Sequence, residues 1–91
     1  MRTPEERLEY LRLSGLLQQI CARHRGELPD GTTSVILTNL GYKVRLSAFN
    51  WGGKPIGAIP NERTSSAFLD DLTESFAKVK SPDSKGIFAA V

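Results

Sequence analysis

The stretch TSVILTNLGYKVRLSAFNWGGKPIGAIP, residues 33–60, decides the fold. Residues 33–39 are rich in β-branched and aliphatic side chains, as strands are. Asn39-Leu40-Gly41 reads as a short turn, which makes residues 42–49 the second arm of a hairpin. In that arm Tyr42, Val44, Leu46 and Ala48 alternate with Lys43, Arg45 and Ser47. A period of two sends the first set to a core and the second to solvent, so the strand gains a basic outer face. Asn50-Trp51-Gly52-Gly53-Lys54 is a glycine-rich turn into a third strand, residues 55–59. Pro55 and Pro60 cannot donate to a ladder, so that strand belongs at a sheet edge.

Helical spacing flanks this sheet-forming stretch on both sides. Over residues 4–24 the apolar side chains Leu8, Leu11, Leu13, Leu16, Leu17, Ile20 and Cys21 recur at intervals of three and four, as on one helical face. Thr3 before Pro4 supplies an N-cap with proline at the first helical position. Over residues 64–80 a second helix presents Phe68, Leu69, Leu72, Phe76 and Val79. Residues 82–91 read either as a fourth strand or as a frayed terminus, because short apolar runs fit both.

The expected architecture is a two-layer α+β domain, αβββα, with a three-stranded antiparallel sheet resting one face on both helices and a fourth C-terminal strand left open. The chain has 91 residues, a length that supports a single small domain with one core. Expected core residues are Leu13, Leu17, Ile20, Val35, Leu37, Val44, Leu46, Ile59, Leu69, Leu72 and Phe76. A polar residue at Leu17 or Leu72 is expected to abolish cooperative folding.

Composition excludes more functions than it selects. No apolar run reaches the roughly 18 to 20 residues of a membrane helix, and the acidic start Pro4-Glu5-Glu6 is unlike a secretory signal. The lone Cys21 cannot form an internal disulfide, in keeping with a reducing compartment, so a cytoplasmic location without membrane association is expected. The net charge of +2 and pI of 8.9 lean toward an acidic or nucleic-acid partner.

The candidate chemistry is sparse. Cys21 and His24, three apart near a helix end, permit a thiol and imidazole pair, but no orienting group or oxyanion site accompanies them, and packing with the helix dipole explains both residues. Asp70, Asp71 and Glu74 have spacings that could hold a hard cation, and they are also the charges a helix favours in its early turns. The glycines match neither a dinucleotide-binding nor a P-loop pattern. Neither an enzyme, a cofactor nor a metal is therefore expected.

What remains are five cations without a local reason, Lys43, Arg45, Lys54, Arg63 and Lys85. Lys43 and Arg45 share a strand face, Lys54 lies beside Trp51 in the next turn, and Arg63 opens the second helix with Thr64, Ser65 and Ser66. Cations meet phosphates and exposed bases stack on an indole. Lys43, Arg45, Trp51, Lys54 and Arg63 are thus the expected binding residues of a small non-enzymatic module for RNA or DNA. The alternative is a protein-binding inhibitor or adaptor of the phage or mobile-element type, such as an anti-defence protein, anchored by Trp51 and the edge strand. Either a monomer or a homodimer fits.

Over about residues 8 to 80 the order helix, three strands, helix resembles that of double-stranded RNA-binding domains, and of the small signal-recognition-particle proteins that hold the Alu RNA. That resemblance implies RNA contact at the start of the second helix, where lysines cluster against phosphates. Here the segment reads Arg63-Thr64-Ser65-Ser66-Ala67-Phe68-Leu69-Asp70-Asp71, one cation and two acids, and no family is assigned.

Overall fold

In a computed structural model of the chain, which describes residues 3–41, 43–79 and 86–91, two helices and a four-stranded antiparallel sheet follow the order α1 (Pro4–Arg23), β1 (Ser34–Asn39), β2 (Val44–Phe49), β3 (Pro55–Ile59), α2 (Ser66–Phe76) and β4 (Ile87–Ala90). A short 3-10 turn, Arg25–Glu27, follows α1. The sheet order is β3-β2-β1-β4. Residues 82–85 of the expected tail lie outside the described residues; of the rest, Ile87–Ala90 forms a strand, β4, which pairs antiparallel with β1, with Leu37 opposite Ile87 and Ser34 opposite Ala90. β3 lies at the far edge, as its two prolines require.

Alternation along the strands separates two faces. Val35, Leu37, Leu46, Ala48, Ile59, Ile87 and Ala89 point inward and are buried. All of these but Ala48 join Leu13, Leu17, Ile20 and Cys21 of α1 and Phe68, Leu72 and Phe76 of α2 in one cluster. Each fully buried Leu, Ile or Phe contributes about 1.5 to 3 kcal/mol relative to exposure, so this cluster is what holds the layers together. Val44 and Leu69, expected in the core, are only partly buried at its margin.

Two expectations about the helices change. Leu8 and Leu11 are 69% and 64% exposed, because they lie on the side of α1 opposite Leu13, Leu17 and Ile20; the buried part of the helix begins only at Leu13. The second helix, expected over residues 64–80, spans Ser66–Phe76. Ser65 caps its start, its hydroxyl accepting from Phe68 N–H at 3.1 Å. At the other end the Asn39 side-chain amide lies 2.8 Å from Phe76 O and 3.3 Å from Ala77 O. Helix-end carbonyls need such donors, and a strand residue supplies them here.

The two sheet edges are treated differently. At β4, Phe88 N–H donates to the Tyr10 hydroxyl at 3.0 Å and Phe88 O accepts from the Ser14 hydroxyl. α1 thus satisfies both edge groups of Phe88, which would otherwise be open to another strand. At β3, residues Pro55 to Ala58 are all exposed, and a register irregularity between Ala48 and Phe49 breaks the ladder there.

Candidate nucleic-acid interface

The outward face of the sheet carries Ser34, Ile36 and Thr38 from β1, Arg45, Ser47 and Phe49 from β2, Ala58 from β3, and Phe88 and Ala90 from β4. None of these residues is buried. A sheet that buries one face and leaves the other in solvent is ordinary for antiparallel strands. What is unusual is the distribution of charge.

Between Gly31 and Asn61 there is no Asp or Glu, while Lys43, Arg45 and Lys54 fall inside that span. None of the four strands contains an acid. Of the chain's 12 cations and 10 acids, the remainder of the chain therefore holds nine against ten. Among the described residues the acids lie on the helices and in the loops that flank the span: Glu5, Glu6 and Glu9 on α1, Glu27 after it, Asp30 and Glu62 just outside the span, and Asp70, Asp71 and Glu74 on α2. Sequence reading of single cations missed this segregation, although the acid-free span is visible in the sequence.

The expected binding residues are not all brought together. Arg45 is exposed on the outward face, and Lys43, two residues earlier and also exposed, shares its side by alternation. Trp51 and Lys54 belong to the β2–β3 turn at the other end of β2, about 20 Å from Arg45 at the rise of an extended strand. Lys43 and Arg45 thus stand at one end of the face, and Trp51 and Lys54 at the other. Arg63 stands apart from both pairs. Its guanidinium lies 3.4 Å from Asp30, in the loop region where Pro29 also approaches Gly57 from the inner side. Both partners are largely exposed, so the pair is weak, about 0 to 1 kcal/mol.

The turn that carries Trp51 is built by Asn50. Gly53 N–H donates to Asn50 O at 3.0 Å, and Lys54 N–H donates to the Asn50 side-chain oxygen, also at 3.0 Å. Gly52 has φ of +93°, which glycine adopts without strain. Trp51 occupies the preceding corner and projects outward, 89% exposed. It does not fold back over its hairpin.

His24 and Cys21 do not form a reactive pair. The Cys21 side chain is buried and its thiol is pushed up to about 11 by that burial, whereas a nucleophilic thiol needs a lowered value. Both ring nitrogens of His24 are engaged elsewhere: Nδ1 lies 2.7 Å from Glu27 Oε2 and Nε2 lies 2.7 Å from Asp71 Oδ2. The ring stacks on Phe68, with centroids 4.7 Å apart and planes 4° from parallel. Burial alone would lower the His24 pKa, but hydrogen bonds and charge from Asp71 and Glu27 outweigh it and raise the value. Glu27 also accepts from Ser65 N–H at 2.5 Å, and that contact, followed by His24, holds its carboxyl below the usual range. This cluster ties the end of α1 to the start of α2.

Asp70 and Glu74 are exposed on α2. Among the described residues, no group of three or more His, Cys, Asp or Glu side chains is placed to hold a metal ion. Among the same residues no helix is long and apolar enough to cross a membrane. No family model matches the chain, and no curated protein or solved structure matches it either.

Proposed function

We propose that the protein is a small non-enzymatic module that binds nucleic acid on the outward face of its sheet. The observation that carries this reading is the uncovered, acid-free face, flanked by Lys43 and Arg45 at one end and by Trp51 and Lys54 at the other. Phosphates are attracted to such a field because no carboxylate on the strands or their turns opposes it. The rings and hydroxyls between the cations offer contacts to bases and sugars. The buried, unpaired thiol of Cys21 suits work in a reducing compartment such as the cytoplasm.

The test is fluorescence anisotropy with short labelled oligonucleotides at low salt. The wild-type protein binds, and the double variant Lys43→Glu with Arg45→Glu loses that binding while keeping its thermal melt. Unchanged affinity in the double variant would remove the face from consideration.

A second reading, a protein-binding inhibitor or adaptor, draws on the difference between the two sheet edges. Hydroxyls of α1 satisfy the edge groups of Phe88 in β4, whereas β3 presents an exposed strand next to Trp51. An open edge can accept a strand from a partner. Under that reading Trp51→Ala is the damaging change, and reversing charge at Lys43 and Arg45 has little effect.

A further inference from the structure

We infer that the nucleic acid taken by this face is single-stranded, with unpaired bases stacked on Phe49 and Phe88. The inference rests on the proposed binding face and names the class of its ligand.

Phe88 is 46% exposed in β4, and Phe49 is half-buried on the same outward side in β2. Both sit across β1: Ile36 is opposite Phe88 and Ser34 is opposite Phe49. The two aromatic positions are therefore separated by two strand spacings and by two residues along the strand, about 12 Å in all. Phe88 has its backbone fixed on both sides, by β1 and by the Tyr10 and Ser14 hydroxyls. Its ring is thus presented from a rigid strand rather than from a loop.

A duplex offers such rings nothing, because its base faces are already stacked on one another. Stacked nucleotides rise about 3.4 Å each, so two rings 12 Å apart cannot serve neighbouring bases of a helical stack. They suit a chain whose bases are splayed, which an unpaired strand provides. The cations are placed for the same ligand. Arg45 lies at one end of the face and Lys54 at the other, where they can meet the phosphates of a strand lying across the two rings. The absence of acids from the four strands removes the repulsion that such a path would otherwise meet.

The experiment uses labelled single strands of mixed sequence and blunt duplexes of the same sequence, as RNA and as DNA, titrated at low salt with the full chain. Wild-type protein is expected to bind the single strands tightly and the duplexes much more weakly. Phe88→Leu, which keeps an apolar side chain but removes the ring, is expected to weaken single-strand binding about tenfold, with duplex binding unchanged. Phe88→Tyr restores a stacking surface and is expected to restore binding. Quenching of Trp51, the only tryptophan, reports whether a base also reaches the turn. Equal affinity for duplex and single strand, with Phe88→Leu without effect, would overturn the inference and leave the basic face as a phosphate-binding surface. Binding of neither ligand would overturn the nucleic-acid reading itself, and the inference with it.

Discussion

The dependence of binding on salt follows from the placement of three side chains. Lys43, Arg45 and Lys54 are the cations of the acid-free span, and each releases condensed counterions when it meets a phosphate. For single strands the logarithm of affinity falls with the logarithm of salt with a slope of about −0.7 per phosphate contact, so three contacts give a slope of about −2. Between roughly 50 and 200 mM salt that slope weakens binding about 18-fold. Arg45→Ala removes one contact, the slope falls to about −1.4, and the same change of salt then weakens binding only about 7-fold. Arg63→Ala should leave the slope at the wild-type value, because Arg63 sits beside Asp30 away from the outward face. Anisotropy titrations at several salt concentrations, fitted for wild type and both variants, supply the three slopes. A wild-type slope near zero would refute the electrostatic reasoning. So would a loss of slope in Arg63→Ala that matches the loss in Arg45→Ala.

Other expectations concern the scaffold. His24 has its pKa raised by Asp71 and Glu27 against the opposing effect of burial; a group held above its unfolded value near 6.5 contributes fully below that value and loses its contribution as pH rises through the folded one. His24→Gln should therefore cost more stability in urea melts at about pH 5.5 than at about pH 8.5, and an equal cost at both would contradict the pairing. Leu17→Ala empties a fully buried site and should cost about 3 kcal/mol, whereas Leu8→Ala and Leu11→Ala, exposed on the same helix, should each stay within about 0.5 kcal/mol. Gly86 has φ of +80°, and a Cβ there would run into Leu37 O, Ile36 and Thr38. Gly86→Ala should thus displace β4 from β1, seen as faster amide exchange at Ile87 and Ala89 than in wild type; unchanged protection would show that the strand absorbs the clash.

Most of the fold could be read from local patterns. The alternation from Val44 to Ala48 gave the correct faces of β2, and proline placement gave β3 its edge. The errors arise where tertiary contacts decide. Leu8 and Leu11 are the exception: they stand five and two residues before Leu13, which at 3.6 residues per turn puts them on the solvent side of α1, so helix geometry alone separates them from the core face. The end of α2 is set by Asn39, 37 residues from Phe76 in sequence, and β4 depends on hydroxyls of Tyr10 and Ser14 more than 70 residues away. No local periodicity reports such partners.

The candidate site was visible in part. Arg45 and Trp51 stand out in the sequence as a cation on an alternating strand and an aromatic in a glycine-rich turn, and both are exposed in the structure. Arg63 looked similar to them only because its neighbour Asp30 is 33 residues away. Phe88 gave no signal, since its segment was equally compatible with a frayed end. Its ring joins the face only once β4 pairs with β1. His24 and Asp71, 47 residues apart, likewise meet only in the folded chain.

The most direct measurement of the binding face is amide chemical-shift mapping of the labelled protein during titration with a short single-stranded oligonucleotide. Shifts are expected at Arg45, Ser47, Phe49, Trp51 and Phe88, with the α2 amides from Phe68 to Phe76 unmoved. Shifts concentrated on the helices, or none at saturating oligonucleotide, would contradict the account.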